Sequence, residues 1–356
     1  MPIVPLFGHE ETRRHFRRLF ERGTLPASLL IEGRAGIGKQ RLALWLAQLL
    51  VCERDDCPCG SCQACRLVLD LRHPDVYWIY PRPNLKDATA TMEDVLEDFG
   101  EANQERLEHH GLYAPPSGSE GIFLYTIRTI VQRAALAPAL SRRKVFVVGD
   151  ADRMVAQEGS DQAANAFLKL LEEPPADTTI ILTSSEPGAL LPTIQSRVVA
   201  TRARALADAD VHAFVRDANV KAELDARDLP RGDAERVRIA DGAPGDLLSL
   251  ETRTTAREAA RRLLRAASSR GADRYATALA QGAANARGAF SDTLAALTTV
   301  LRDRAESALR DGDTATAYTA SRAVNAVCEA QARADGNVSP QLITAELMRA
   351  LEGIPA

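Results

Sequence analysis

Five of the six cysteines of this 356-residue chain fall between Cys52 and Cys65. Cys59, Cys62 and Cys65 are each separated by two residues, Cys52 stands six residues clear of Cys59, and Cys57 is an extra. Thiolates at this spacing can curl around one Zn²⁺ and meet its tetrahedral preference. Four of them leave no open position for water, so the expected role is structural. Cys57 is separated from Cys59 by Pro58 alone, which strains ligation by both. Cys52 is therefore the favoured first ligand, and Cys57 stays open as the alternative. Clustered cysteines read as metal ligands before disulfides in a reducing compartment. Cys328 stands alone and is expected to be a small core residue.

A second set surrounds a glycine-rich turn. Gly33, Gly36 and Gly38 precede Lys39, and Gly33-x-x-x-x-Gly38-Lys39 is most of a phosphate-binding loop. Its glycines let backbone N–H groups face phosphate oxygens, and the helix that follows adds its positive end. Lys39 would reach the β- and γ-phosphates of ATP. The hydroxyl that should hold Mg²⁺ is replaced by Gln40, whose amide is longer and differently placed. In such ATPases a later strand ends in an aspartate that organises the metal. Here Asp150 fits that place, but Ala151 stands where a glutamate would activate water, and Asp152 is one residue off. ATP binding is thus expected to be possible, Mg²⁺ use doubtful and hydrolysis lost.

The elements that must position these residues follow from periodicity. Ser28–Glu32 is a short apolar run before the loop, and Leu42, Trp45, Leu46, Leu49 and Leu50 recur at helical spacing after it. Residues 9–22 read as an amphipathic helix with Phe16, Leu19 and Phe20 on one side. Lys144–Val148 and Thr179–Thr183 read as buried parallel strands, with a helix over Gln162–Glu173 stopped by Pro174 and Pro175. Strands alternating with helices predict an α/β domain built on a parallel sheet. Residues 251–356 hold 28 alanines and only three aromatics, Tyr275, Phe290 and Tyr318, which predicts helices. Between Asn84 and Glu120, nine acidic residues face only Lys86 and Arg106. With Pro81, Pro83, Pro115 and Pro116 around it, this stretch reads as a partly helical, solvated insertion without chemistry.

Composition narrows the function classes. The hydrophobic share of 46% and charged share of 26% are ordinary for a globular protein. A net charge of −4 excludes a strongly basic chain that coats nucleic acid by charge alone. No run is long and apolar enough for a membrane helix, and the N-terminal stretch has no basic region followed by an apolar core. A cytoplasmic location with no membrane partner is expected.

Taken together, Gly33–Lys39, the cysteine cluster, His73-Pro74-Asp75, Lys144–Asp150, the run from Asn165 through Leu170-Leu171-Glu172-Glu173 to Pro175, and Ser196-Arg197 resemble one family. It is the bacterial clamp-loader subunits of the DNA polymerase III holoenzyme, of the AAA+ class. The resemblance covers about residues 5–205 except the acidic insertion, and Asp241–Leu248 looks like the family's glycine-rich lid segment. It implies an AAA+ domain over 1–202 with a zinc module at 52–65 and the acidic insertion at 82–120. A helical lid over 203–250 and a helical collar over 251–356 would follow.

Among such subunits the chain departs from the ATP-hydrolysing gamma/tau type at Gln40, at Ala151 and at Gly245, where the lid arginine would stand. The resemblance is therefore to the delta-prime type, which acts beside gamma/tau and delta subunits in loading the sliding clamp on primed DNA. It implies a scaffold that supplies Arg197 in trans to a neighbour's ATP, where an arginine can span developing phosphoryl charge. Thr183 and Ser184 lie where the family keeps a γ-phosphate-sensing group, and the resemblance also implies a zinc module at the cysteine cluster, residues 52–65. An active gamma/tau-type ATPase is the first alternative. A nucleotide-sensing zinc adaptor outside replication is the second. His73 reads as a turn residue, and Lys169, Glu172 and Glu173 as helix-surface residues.

Overall fold

The computed structural model describes residues 2–85, 90–114, 120–154, 161–227, 229–269, 276, 287–335 and 339–352. Pro115, Pro116, Lys86 and Tyr275, singled out above, lie outside the described residues. The chain divides into two compact units, with the break between Leu248 and Ser249.

The first unit opens with helix α1 (Glu10–Glu21), strand β1 (Ser28–Glu32), α2 (Lys39–Val51), α3 (Gln63–Leu69) and β2 (Val76–Ile79). Then come α4 (Met92–Glu108), α5 (Leu124–Ala134), β3 (Lys144–Val148), α6 (Asp161–Glu172) and β4 (Thr178–Ser184). Helix α7 (Pro192–Gln195), β5 (Val199–Arg202), α8 (Asp208–Arg216), α9 (Ala218–Asp225), α10 (Asp233–Ala240) and α11 (Gly245–Leu248) complete it.

The five strands form one parallel sheet in the order β2-β3-β4-β1-β5. Strand β4 stands between β1, which leads into the glycine loop, and β3, which ends at Asp150. The parallel sheet flanked by helices is the one expected from the sequence. β3 and β4 are buried along their whole length, as continuous apolar parallel strands must be. Strand β5 is exposed along most of its length.

Strand β2 was not expected, because His73-Pro74-Asp75 reads as a turn. The turn is real and starts the strand. The Asp75 carboxylate accepts the N–H groups of Ala139, Leu140 and Ser141 at 2.6–2.8 Å, pinning the approach to β3. Burial raises the Asp75 pKa, but those donors and His73 reverse the sign and hold it below the ordinary carboxylate value. His73 Nδ1 accepts the Asp75 N–H at 3.1 Å, which leaves Nε2–H to donate to Ser141 Oγ at 3.0 Å.

The acidic insertion is more than a solvated elaboration. Thr91 and Asp94 form a reciprocal cap on α4, and Val95, Phe99, Ala102 and Leu107 are buried from it into the main core. The acids occupy the opposite face, so a low apolar count conceals a complete apolar stripe. Arg106 lies over the rings of Trp78, Tyr80 and Tyr113 at 3.2–4.4 Å.

Among the described residues, the second unit holds helices Leu250–Ser268, Arg287–Arg310, Thr314–Asp335 and Pro340–Ala350 around their own core of Leu263, Leu294, Leu297, Leu301, Val327 and Leu347. Cys328 is exposed, not buried as expected, because it lies off the apolar stripe that holds Val327. Among the described residues, no helix is long and apolar enough to cross a membrane.

Candidate functional site

Strand β1 delivers the glycine loop to the edge of the sheet, and α2 starts from Gly38, whose φ of 89° is left-handed. A Cβ on Gly33 would lie 2.5 Å from the Ala203 carbonyl oxygen, so the loop's entry requires glycine. His9 Nε2 meets the Ile37 carbonyl at 2.7 Å and clamps the loop from the N-terminal side. Burial pulls the His9 pKa down, so at neutral pH the ring is neutral and Nε2–H is the donor.

Every polar side chain of the loop is satisfied from within the chain. Lys39 is buried, and its Nζ donates to the Arg34 carbonyl and to Ser185 Oγ, both at 2.9 Å. Burial lowers its pKa, against the pull of Asp150 and Asp152. Gln40 is also buried. Its Nε2 donates to Asp150 Oδ2 at 2.9 Å, and its Oε1 accepts from Trp78 Nε1 at 2.8 Å. The amide thus bridges indole and carboxylate where an ATPase would hold Mg²⁺ between a hydroxyl and this aspartate.

Gly149 makes the bridge possible, since a Cβ there would lie 2.3 Å from the Gln40 amide carbon. Asp150 is left-handed at φ 48°, and its N–H donates to Thr183 Oγ1 at 3.1 Å. Burial, then Asp152, raises its pKa. Asp152 accepts the Ser185 N–H at 3.2 Å, and Ala151 is fully buried.

The segment 241–248 lies directly on the loop. The Gly245 N–H donates to the Gly36 carbonyl at 2.9 Å, and a Cβ on Gly245 would lie 2.8 Å from the Gly36 Cα. Arg34 pairs with Asp241 at 2.8 Å and Asp246 at 3.1 Å. A carboxylate therefore stands beside Gly36, where a phosphate-binding loop would present its N–H groups to an anion. The expected site residues Gly33, Gly36, Gly38, Lys39, Gln40 and Asp150 come together, but with partners the motif did not announce: Trp78, Gly149, Ser185 and Asp246. The pairing of Gln40 with Gly149 was legible in principle, since a bulky residue in the loop calls for a small one at the strand end.

The cysteines converge at the far end of α2. One sulfur from each of Cys52, Cys59, Cys62 and Cys65 lies within 4.8 Å of the others. Cys52 Sγ is 3.7 Å from Cys59 and 3.9 Å from Cys62. Four sulfurs at ~2.3 Å from one Zn²⁺ would stand ~3.8 Å apart, so the donor set fits. Cys52 caps α2, and Cys62 caps α3. The Cys62 N–H donates to Cys59 Sγ, and the Cys65 N–H to Cys62 Sγ. Donors from Ser61 and Cys62 bring the Cys59 thiol down to about 6, which favours the thiolate a metal needs. Cys57 stands outside this set and packs against the apolar core.

Arg197 follows α7 and the cap Ser196. Its Nε donates to Glu172 Oε2 at 3.1 Å and its Nη1 to the Thr193 carbonyl at 3.0 Å. Glu172, read as a plain surface residue, is what orients it.

Comparison with known proteins fits this geometry. Residues 8–206 match the family model described as DNA polymerase III, delta subunit. The delta' subunit of DNA polymerase III from Pseudomonas aeruginosa is 35% identical over 173 residues, covering 48% of this chain and 40% of that protein. The Bacillus subtilis delta' subunit is 30% identical over 178 residues, covering 50% and 42%. A gamma/tau subunit from Mycobacterium bovis is 29% identical over 197 residues, covering 55% and 27%. The matches thus span less than half the length of these relatives. With more than half of its own residues under the family model, and with delta' proteins at 30–35% identity among its relatives, the chain belongs to the DNA polymerase III delta-subunit family and is delta-prime-like within it.

Proposed function

We propose that this chain is a non-hydrolysing clamp-loader subunit, working in the cytoplasm beside gamma/tau and delta subunits to place the sliding clamp on primed DNA. The observation that carries the reading is the Gln40 bridge between Trp78 and Asp150. An amide occupies the metal's place, Ala151 cannot take a proton, and Lys39 is held by Arg34 and Ser185. Asp246 beside Gly36 further opposes a bound anion. ATP would bind only if residues 203–250 lifted as a lid.

In this reading the chain acts through others. Residues 1–202 form the AAA+ domain and 251–356 a collar for assembly. Cys52, Cys59, Cys62 and Cys65 hold a structural Zn²⁺. Arg197 exchanges Glu172 for the nucleotide phosphates of a neighbouring ATPase subunit, where such a finger is worth ~10³–10⁵ in rate in other NTPases.

The test is ATP turnover with Mg²⁺ and primed DNA, first by the zinc-loaded chain alone and then by the complex reconstituted with gamma/tau and delta subunits. No turnover alone, together with turnover in the complex that falls sharply with Arg197→Ala, is the expected result. Turnover by the chain alone that disappears with Lys39→Ala would instead establish the gamma/tau-type reading. Failure to join those partners would leave the zinc adaptor.

A further inference from the structure

The acidic insertion has so far no role, yet it builds one wall of a cleft. A cavity of about 410 Å³ lies between α4, α5, β2 and the loop before β3. That volume is within the range of ligand pockets, about 300–1,000 Å³. Its apolar lining includes the half-buried Tyr77, whose ring stacks at 4.9 Å on the fully buried Phe146. Val95, Leu96 and Phe99 of α4 form the wall. At the mouth, Leu136 is 49% exposed, and Leu140 of the same loop is 46% exposed. Large aliphatic side chains so exposed beside a concavity mark a contact surface rather than a core.

The arginines of the cleft lack carboxylate partners among the described residues. Its lining includes Arg72, Arg133, Lys144 and Asp75. Asp75 spends its carboxylate on three backbone N–H groups, and Lys144 donates to the carbonyls of Ala134 and Leu136 and pairs with Asp177 at 3.5 Å. Arg72 meets only the neutral amide of Gln104, at 3.3 Å. Arg133 has no carboxylate partner among the described residues, and its Nε is buried without a hydrogen-bond partner. None of the acids of α4 lines the cleft, and Asp98 is paired with Arg82. A buried guanidinium N–H without an acceptor costs free energy that an incoming carboxylate would recover.

Gly100 is the third observation. It lies in the middle of α4 and lines the cleft. Glycine there costs the helix about 1 kcal/mol relative to alanine. Its φ is not positive, and a Cβ would meet nothing within 4 Å. Neither backbone geometry nor packing requires it. What its lack of a side chain does is keep the wall open.

We propose that this cleft is a docking site for an acidic peptide segment of a partner protein, which inserts a large apolar side chain against Tyr77 and Leu96 and sets a carboxylate against Arg133. The cleft shares Trp78 with the Gln40 bridge but is lined by no residue of the glycine loop, by none of the cysteines and not by Arg197, and the proposal does not depend on the function proposed above.

The test uses the full zinc-loaded chain, isotope-labelled for NMR. The probes are acetyl-Glu-Asp-Leu-Phe-Asp-Glu-amide and its counterpart with lysine in place of every acid. The acidic peptide is expected to shift amides of residues 95–103 and 130–137 saturably below about 5 mM, with the basic peptide at least about fivefold weaker. Arg133→Gln should weaken the acidic peptide about fivefold, the scale of one charge pair. Gly100→Leu should fill the cleft and abolish binding while the melting temperature holds or rises, which separates occlusion from misfolding. The proposal is overturned if the acidic peptide leaves these amides unmoved, if the basic peptide binds equally well, or if Gly100→Leu binds as the parent does.

Discussion

The two ends of α2 carry the two motifs of the sequence, and they differ in how their polar atoms are used. At its C-terminal end, four sulfurs converge with contacts only to one another and to nearby hydroxyl and N–H donors. At its N-terminal end, Lys39, Gln40 and Asp150 are each bonded to groups of the chain itself. The first arrangement offers a donor set that fits a cation at its centre. The second is complete as it stands. Spacing says where a ligand could go, and the neighbours decide whether the site still needs one.

Zinc removal gives the largest effect expected from this contrast. Cys62→Ser, or exhaustive chelation, should remove one zinc per chain by elemental analysis. It should lower the melting temperature on the order of 10 °C, because metal binding is folding free energy in such sites. ATP with Mg²⁺ should move the same melt by less than about 1 °C. A nucleotide-induced rise as large as the zinc effect would erase the difference between the two ends of α2.

The second effect lies within the bridge. Gly149→Ala places a methyl carbon where the Gln40 amide sits. The amide must leave, which strands the Trp78 N–H and the Asp150 carboxylate, at a cost of about 2–4 kcal/mol. Gln40→Ala alone strands the same two groups. In the double variant the two losses are largely one loss, so denaturant titration should give a coupling energy above about 1 kcal/mol. Strict additivity would mean that the bridge is not a unit.

Protonation separates the loop's partners in sign. His9 is held below its ordinary 6.5 by burial, so the unfolded chain takes a proton before the folded one does. Its contribution is fully present above pH 6.5 and is lost as pH falls through the folded value. His73 behaves alike, and Asp75 does so below its ordinary 3.8. Asp150 is opposite. Its pKa is raised, so its contribution is present below pH 3.8 and is lost as pH rises through the folded value. His9→Gln should flatten the melting profile between pH 5 and pH 7. Asp150→Asn, which can still accept from Gln40, should melt at or above the parent at pH 8. A lower melting temperature for Asp150→Asn would show that the loop needs the charge, as a metal site would.

The sheet and both motifs were legible because each rests on local pattern: continuous apolar strands, a glycine loop between strand and helix, and thiols two residues apart. Strand β2 was hidden because it is only four residues long and follows a proline turn. The helical character of the acidic insertion was legible, but the burial of α4 was hidden because its acids outnumber the four residues that bury it. The bridge was illegible for another reason. Trp78 meets Gln40 across 38 positions and Asp150 meets it across 110, and no periodicity reports such a contact. Cys328 misled because a small apolar type says little about which face of a helix it occupies.

Arg197 sets the smallest stability effect against the largest functional one. Its ion pair with Glu172 is solvent-accessible on both sides, with side chains 30% and 59% exposed. Such pairs contribute ~0–1 kcal/mol, so Arg197→Ala should shift the melt of the isolated chain by no more than about 3 °C. Glu172→Gln should do as little to stability, yet it releases the guanidinium from its partner. If Glu172 only parks Arg197, Glu172→Gln leaves turnover of the reconstituted complex equal or raised. If Glu172 aims the guanidinium at the neighbour, turnover falls in both variants. Equal turnover in the parent, Arg197→Ala and Glu172→Gln would reduce the pair to a surface contact. Of the motifs the sequence announced, the cysteine cluster would then be the one whose donor set still suits a ligand from outside.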